Sequence, residues 1–319
     1  MRSLLVSPGP SVALTITGDH LAAVELRWSK SGPRVVAHAN VALEDGAVRP
    51  GISGANIADP DGMARALRRV FGQLPRRPTR VALVLPDSTA KVSLVRFEKV
   101  PARESDLSQL IRWHVRKAAP FRVEDSQVSY TAGAKTTDGK QEFVVAQIRR
   151  DVVEQYEETC VAAGVHAGCV DLASFNLINA ALSTATDGDT ADWLLVHIGP
   201  GQSTLAIVRG ANLIFFRNRA INGEAALADL VHQTAMYYED RLGGVGFSHA
   251  VLAGHTVIEG DDSRKETVRR ALEDRLQTAV EPIGKRLASH FAQSTGSDVE
   301  VLDHLAAPIG ILLRTRHLH

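Results

Sequence analysis

Short apolar runs alternate with turn residues over the first quarter of the chain. The alternation predicts strands over residues 12–16, 21–28 and 33–43. A loop rich in Gly, Pro and Asp follows over 44–61, and apolar residues at helical spacing predict a short helix over 62–71. A continuous apolar run, Val81–Leu85, then predicts a buried strand that ends at Pro86-Asp87.

The middle of the chain has the mixed pattern of a separate unit. It predicts a strand over 91–97, a helix over 102–117 and two pairing strands over 126–132 and 142–148. Pro120-Phe121 ends the helix. Two more helices are predicted over 151–163 and 171–183, and a polar linker follows at 184–189.

The second half repeats the pattern of the first. A β-meander is predicted over 194–221, followed by a helix over 224–242, a strand over 247–253, one long helix over 265–290 and a closing helix over 305–313. The stretch LLVHIGPGQSTLAIV parallels VALTITGDHLAAVEL near the start of the chain. Such an internal duplication predicts two equivalent α/β lobes with a cleft between them.

Composition narrows the class of protein. The chain of 319 residues is 45% hydrophobic, and Lys+Arg and Asp+Glu are both 36, so the basic excess typical of nucleic-acid binders is missing. The apolar runs are shorter than the roughly 20 residues that a membrane-spanning helix needs, and the N-terminus makes a poor signal peptide. Cys160 and Cys169 lack metal-ligand spacing. We therefore expect a cytoplasmic protein.

The Gly199-Pro200-Gly201 turn is a candidate phosphate loop. Glycines let backbone N–H groups approach an anion closely, and Gln202-Ser203-Thr204 follows directly. The same glycines would suit any hairpin turn, so the loop alone does not decide between the two interpretations.

Five segments and the tail, taken in order, resemble the actin-like ATPase superfamily and, within it, the type IV pilus assembly protein PilM family. They are VALTITGDHLAAVEL, LSQLIRWHVRKAAPFRVEDSQVSY, VVEQYEETCVAAGVHAGCVDLASFNLINA, HIGPGQSTLAIVRGANLIFFRNRAINGE, ALADLVHQTAMYYEDRLGGVGFSHAVLAGH and LAAPIGILLR. Each match is weak by itself, but the shared order and spacing over nearly the whole chain are specific.

The resemblance implies a two-lobed actin-like (ribonuclease H-like) α/β fold with an inserted subdomain, as in the cell-division protein FtsA. It divides the chain into lobe 1 (subdomain 1A), an inserted subdomain (1C), a return to lobe 1, lobe 2 (2A and 2B) and a C-terminal helix on lobe 1. These units correspond to residues 1–87, 88–165, 166–190, 191–303 and 304–319.

The resemblance also implies a function and a partner. Members of the family act beneath the inner-membrane platform of the pilus, where a groove between 1A and 1C takes the N-terminal cytoplasmic peptide of PilN, a bitopic membrane protein. By this likeness the chain is a cytoplasmic scaffold, peripheral to the inner membrane through a PilN-like partner, with other pilus platform proteins as further candidate partners. Trp113 and Phe121 are candidate linings of the groove, although core packing is the stronger explanation of both.

The chain departs from the superfamily where the nucleotide would bind. Actin-like ATPases carry a carboxylate in each phosphate loop, because Mg²⁺ prefers oxygen ligands and phosphoryl transfer needs the metal. Here those positions are Thr15 and His197, and Thr17 and His255 replace glycines. The resemblance thus implies a degenerate cleft without catalytic or metal-binding residues, in which ATP and Mg²⁺ are disfavoured. Its residues are Thr15, Thr17, Gly18, His197, Gly199, Gly201, Gln202, Ser203 and Gly254.

Several alternatives stay open at this point. Asp19 could replace a lost carboxylate and His197 could bind a metal, but a turn aspartate and a hydrogen-bonded histidine are the simpler interpretations. No pattern of His and Asp near Ser174 or Ser203 indicates a nucleophile.

Other functions and surfaces remain possible as well. The whole chain could be a working ATPase of pilus or secretion assembly, or a GspL-like component of type II secretion. Two basic runs, Arg65/Arg68/Arg69 and Arg76-Arg77 with Arg80, are typical of solvated faces; contact with anionic lipid headgroups is a weaker alternative.

Overall fold

The structure is a computed structural model of the chain. It describes residues 9–30, 32–136, 138–185, 190–221, 223–254, 262–291 and 298–317. Within these ranges the chain forms two lobes built on similar sheets, with a small third sheet inserted in the first lobe.

The first lobe is a five-stranded sheet in the order β3-β2-β1-β4-β8. Its elements are β1 (Val12–Ile16), β2 (His20–Ser29), β3 (Gly32–Ala42), α1 (Pro60–Gly72), β4 (Arg80–Leu85), α3 (Arg150–Ala162), β8 (His166–Leu172) and α4 (Ala173–Leu182). Buried side chains of α1 and α3, among them Leu67 and Tyr156, pack on one face of the sheet. The other face packs on α4 and on the last helix of the chain, α8 (Val299–His317).

The inserted subdomain lies between β4 and α3. It consists of β5 (Ala90–Phe97), α2 (Glu104–Val115), β6 (Ser126–Lys135) and β7 (Gln141–Arg149). The sheet order is β5-β7-β6, and Ile111 and Val115 of α2 pack on Phe143 and Val145 of β7. One face of this sheet is thereby covered, and the residues that alternate with Phe143 and Val145 face the other way.

The second lobe repeats the first. Its sheet has the order β11-β10-β9-β12-β13, which is the order of the first sheet applied to the second half of the chain. Its elements are β9 (Asp192–Gly199), β10 (Gln202–Arg209), β11 (Asn212–Ala220), α5 (Glu224–Leu242), β12 (Ala250–Gly254), α6 (Asp262–Leu276), β13 (Val280–Pro282) and α7 (Ile283–His290). The internal duplication that was inferred from the similar segments VALTITGDHLAAVEL and LLVHIGPGQSTLAIV is therefore present in the structure.

A shared core joins the lobes. Buried residues of both sheets, including Ala13 and Leu195, belong to one hydrophobic cluster with α4, α7 and α8. The approach of α4 and α8 depends on Gly310, because a Cβ there would lie 1.8 Å from the carbonyl oxygen of Asn176.

Two helices predicted from the sequence need correction. The long helix over 265–290 is wrong: the chain leaves α6 at Leu276, forms β13 parallel to β12, and begins α7 at Ile283. The helix over 171–183 begins only at Ala173, because Asp171 pairs with Val84 in the sheet. Helix α3, which falls within the predicted insertion 88–165, packs in the core of the first lobe, and the bounds of the insertion stay a prediction.

Candidate functional site

The cleft between the lobes lies where the β1–β2 turn faces the β9–β10 turn. Its cavity has a volume of about 70 Å³ and is bordered by α8 through Asp303 and His304. Seven of the nine predicted cleft residues line it, namely Thr15, Thr17, Gly18, His197, Gly199, Gln202 and Gly254. The two others, Gly201 and Ser203, do not: Gly201 is exposed at the turn, where its φ is 67°, and Ser203 is buried in β10.

Close packing keeps this cavity small. A Cβ on Gly18 would lie 3.6 Å from Cβ of Pro200, so the two loops are almost in contact. A Cβ on Gly254 would lie 2.0 Å from the carbonyl oxygen of Ile198, which explains the glycine there as a packing requirement. His255, predicted to narrow the pocket further, lies outside the described residues.

The β1–β2 turn is tied together by its own side chains. The hydroxyl of Thr17 lies 2.6 Å from Oδ1 of Asp19, and Nδ1 of His20 lies 2.7 Å from the same oxygen. Burial would raise the pKa of the Asp19 carboxyl, but the hydrogen bonds from His20 and Thr17 outweigh it, and the pKa lies below its usual value. Asp19 therefore serves the turn, as the simpler interpretation of its sequence position predicts.

The sequence analysis missed the main polar feature beside the cleft, which is centred on Asp87. This fully buried carboxylate directly follows β4 and accepts the backbone N–H of Ser174 at 3.0 Å and the hydroxyl of Thr204 at 2.7 Å. It also accepts the hydroxyl of Ser174, and Nδ1 of His197 lies 3.1 Å from its Oδ2 atom. We call these four residues, Asp87, Ser174, His197 and Thr204, the interlobe clasp, because Asp87 and Ser174 belong to lobe 1 and the other two to lobe 2.

The clasp holds Asp87 in its ionised form. Burial by itself would raise the pKa of the Asp87 carboxyl, but the hydrogen bond and the charge of His197, together with the hydrogen bonds of Ser174, lower it below its usual value. The sequence position of Asp87 could have indicated its importance. Ligands in α/β sheets bind at the carboxyl ends of the strands, and Asp87 lies two residues after the end of β4.

The sequence shows no pattern of His and Asp that indicates a nucleophile at Ser174, but the fold brings one residue of each type close to it. Both come within hydrogen-bonding distance of it, but not in the order that catalysis needs. Oγ of Ser174 lies 2.9 Å from Nδ1 of His197, and Asp87 approaches the same nitrogen. In a catalytic triad, nucleophile and carboxylate contact opposite ring nitrogens. Ser174 donates to Asp87, and the group is a closed hydrogen-bond network.

A second and much larger cavity lies between the first lobe and the inserted subdomain. This groove has a volume of about 740 Å³. Strand β8 forms one wall and β6 the other, and each is the last strand of its sheet. Apolar side chains from β7 and α4, including Ala146, Ile148 and Phe175, line it. At one side lies an ion pair in which Nη1 of Arg314 is 2.5 Å from Oδ2 of Asp171.

Trp113 and Phe121 are not among the residues that line this groove. Trp113 is 66% exposed on α2, and Phe121 is half-buried in the segment that follows it. Helix α2 covers one face of the inserted sheet, whereas the groove lies on the other face. The pattern of apolar residues alone does not show which of the two faces a side chain lies on. A role of Trp113 and Phe121 in partner binding stays a prediction.

Among the described residues, no helix is long and apolar enough to cross a membrane, and no three His, Cys, Asp or Glu side chains form a group suited to a metal ion.

Comparison with known proteins identifies the family of the chain. The family described as "Type IV pilus assembly protein PilM" matches residues 14–241, which is more than half of the chain. A solved PilM-PilN type IV pilus biogenesis complex contains a chain of similar structure, with a TM-score of 0.79 and 16% identity over 97% of this chain and 99% of that one.

Two further structures are more distant. A Bacteroides thetaiotaomicron protein with an actin-like ATPase fold gives a TM-score of 0.52 at 11% identity, covering 96% of this chain and 95% of that one. The cytoplasmic domain of EpsL from the type II secretion system of Vibrio cholerae gives a TM-score of 0.45 at 11% identity, covering 83% of this chain and 93% of that one. No curated protein matches the sequence. With its actin-like fold and a family match over most of its length, the chain belongs to the type IV pilus assembly protein PilM family.

Proposed function

We propose that the protein is a cytoplasmic, non-catalytic scaffold of a type IV pilus assembly platform, and that it binds the N-terminal cytoplasmic segment of a PilN-like membrane protein in the groove between β8 and β6. The observation that carries the proposal is the contrast between the two cavities: about 740 Å³ in the groove and about 70 Å³ in the cleft. Ligand pockets typically have about 300–1,000 Å³, a range that includes the first volume and excludes the second.

The walls of the groove suit an extended peptide. Both β6 and β8 are edge strands, and an extended segment can add to such an edge through main-chain hydrogen bonds. Val144, Ala146 and Ile148 alternate along β7 on the groove side and offer an apolar floor to every second side chain of the peptide. The ion pair between Asp171 and Arg314 adds a polar contact at one side.

The chemistry of the cleft supports loss of nucleotide hydrolysis. Thr15 stands where the superfamily has a carboxylate, and its hydroxyl is buried without a hydrogen-bond partner. Asp87 is fully buried with both oxygens engaged in the clasp, so it has none to offer a cation. These residues do not fit a magnesium nucleotide, which needs free carboxylate oxygens beside the β- and γ-phosphates. The two lobes are joined instead by protein side chains.

The PilM-PilN complex supports the choice of partner, since it is a structure of a similar chain assembled with PilN. A partner anchored in the inner membrane would hold this protein at the cytoplasmic face, and the match to the pilus family favours that system over type II secretion.

A peptide titration tests the proposal. The purified chain is mixed with a fluorescent N-terminal segment of the bitopic protein encoded beside it, and anisotropy reports binding. Ala146→Arg places a long charged side chain in the groove and is expected to weaken binding at least tenfold. Ala220→Arg is the matched control, because Ala220 is exposed on β11 of the second lobe. Equal affinities for the two variants would contradict the proposed site.

Calorimetry with Mg-ATP tests the loss of hydrolysis separately. We expect no saturable heat of binding and no phosphate release. Micromolar binding with turnover would make the protein a working ATPase and would leave the groove result unaffected.

A further inference from the structure

The end of the first sheet opposite the cleft carries an unusual concentration of positive charge. Strands β1 and β4 are parallel and begin at this end, while the antiparallel β2 finishes there, so that Val12 pairs with Glu25 and Arg80 with His166. The β2–β3 hairpin closes at the same end, where Arg27 pairs with Arg34. The helices α1 and α3 also finish there, because each leads into a strand that begins at this end.

Eight basic side chains gather on these elements. We call them the basic end: Arg27, Lys30, Arg34, Arg68, Arg69, Arg76, Arg77 and Arg80, all of them exposed. Over the described residues 9–12, 25–30, 32–35, 68–80 and 161–167, which build this end, Glu25 is the one acidic residue. The whole chain has equal numbers of both signs, 36 and 36, so this imbalance is local.

Part of this charge has a structural role. Arg68 donates to the carbonyl of Ala162 at 2.7 Å and Arg77 to that of Ala163 at 2.6 Å, so both cap the last turn of α3. Arg27 pairs with Glu25 at 3.1 Å. Within the described part of the chain, no salt bridge joins a carboxylate to Lys30, Arg69 or Arg76, although Arg69 lies in the last turn of α1, where a positive charge is favourable.

Two exposed apolar side chains lie at the same end. Trp28, in the hairpin beside Arg27 and Lys30, is 39% exposed, and Val161, next to the α3 carbonyls that Arg68 and Arg77 cap, is 52% exposed. Tryptophan favours the interface between lipid and water, and lysine and arginine near it favour anionic headgroups. A surface that combines exposed basic and apolar side chains is better suited to the lipid–water interface than to contact with water alone.

We propose that the basic end is a membrane-contact surface that binds the phosphate groups of anionic phospholipid. The charges are spread over the β2–β3 hairpin, the end of α1, the loop that follows it and the start of β4, an arrangement that suits an extended negative surface. The surface also adjoins the groove: Arg80 lies over Gly168, where a Cβ would be 2.2 Å from its Nε atom, and Gly168 lines the groove. A partner segment leaving the groove on this side would emerge next to the lipid surface.

Vesicle sedimentation with the full chain, without any partner, tests this inference. We expect binding to vesicles of phosphatidylglycerol and phosphatidylethanolamine at 50 mM salt, none to pure phosphatidylcholine, and release at 0.5 M salt because screening weakens exposed charge. The test variant is Lys30→Glu/Arg69→Glu/Arg76→Glu, which leaves both capping arginines in place. Its matched control, Arg219→Glu/Arg241→Glu/Lys285→Glu, makes the same change in net charge on exposed positions of the second lobe.

The two triple variants are expected to differ at least tenfold in vesicle affinity, with the control within twofold of the unmodified protein. Equal weakening in both, or the absence of any vesicle binding, would overturn the inference. So would stronger binding to heparin or to a DNA duplex than to anionic vesicles, because the surface would then serve a different polyanion. The peptide titration is independent of this result, so a failure of the groove and a failure of the basic end are distinguishable.

Discussion

His197 and Asp87 stand on opposite lobes, 110 positions apart in the chain, with Nδ1 of the histidine 3.1 Å from a carboxylate oxygen of the aspartate. The contact places a ring nitrogen of the histidine beside a buried acceptor and joins the two lobes.

Asp87→Ala tests how much the clasp stabilises the protein. The substitution leaves the donors of Ser174, Thr204 and His197 without their acceptor, and we expect a loss of about 3–5 kcal/mol in the free energy of unfolding. Chemical denaturation at pH 7 measures it. Asp45→Ala, at an exposed loop position, is the control and should leave the free energy unchanged.

The pH dependence of Asp87 has a definite sign. Its pKa lies below the usual value, so the stability that it contributes is present above about pH 4, the pKa of an unfolded aspartate, and is lost as the pH falls through the folded pKa. Asp87→Asn should show a flatter fall in stability on acidification than the unmodified protein. Parallel curves for the two proteins would place the acid-sensitive group elsewhere.

Restoring the superfamily carboxylate by His197→Asp is expected to destabilise the protein and not to restore nucleotide binding. The new carboxylate would face Asp87, and two like charges at this distance resist joint ionisation. The melting temperature should therefore be low at pH 7.5 and recover partly near pH 5, as one carboxyl gains a proton. His197→Asn keeps a neutral donor, and its melting temperature should lack that recovery.

For Asp303 we expect the opposite dependence of stability on pH. Burial raises the pKa of its carboxyl to about 6, against the opposing hydrogen bond from the Gly284 N–H and the charge of Lys265. The folded protein keeps this proton up to about pH 6 and the unfolded chain releases it near pH 4, so stability decreases between these values and then levels off. Asp303→Asn keeps an acceptor for Gly284 and should be more stable by about 1–3 kcal/mol at pH 7.5.

Near pH 4 the Asp303→Asn variant and the unmodified protein should have equal stability, measured by urea unfolding across the range. Asp274→Asn, at an exposed position of α6, serves as the control and should follow the unmodified protein throughout. An Asp303→Asn curve parallel to the unmodified curve would contradict the raised pKa.

Gly310→Ala tests the contact between α4 and α8. A methyl group at this position would lie 1.8 Å from the carbonyl oxygen of Asn176, and we expect a loss of about 3 kcal/mol or more. Gly72→Ala, at the end of α1, meets no atom within 4 Å and should be neutral or slightly stabilising. Thermal unfolding compares the two, and similar melting temperatures would contradict the close approach.

Local patterns predicted most of the fold, because amphipathic periods and turn residues act within one element. Helix α5 (Glu224–Leu242) and its end at Gly243 lie where the apolar spacing and the glycine place them, with Gly243 in the left-handed conformation (φ 64°). The short strand β13 escaped prediction, because three residues carry no period and its pairing with β12 is long-range. Pro282 nevertheless argued against a continuous helix there, since proline removes a helical hydrogen bond.

The two turns of the cleft could be located from their glycines and from the internal repeat, whereas the nine cleft residues came from the family resemblance. Seven of the nine line the cavity. The clasp could not be predicted, because Asp87, Ser174 and His197 come from three separate segments that only the packed lobes bring together. A contact of this kind leaves no local pattern in the sequence from which it could be predicted.

The inserted subdomain enters and leaves the first lobe through paired positions. Ala90, where β5 begins, is the direct antiparallel partner of Ile148, near the end of β7, so their Cα atoms are about 5 Å apart. A few linker residues would span that distance. The chain therefore enters and leaves the subdomain at one place, through two strand ends that lie side by side.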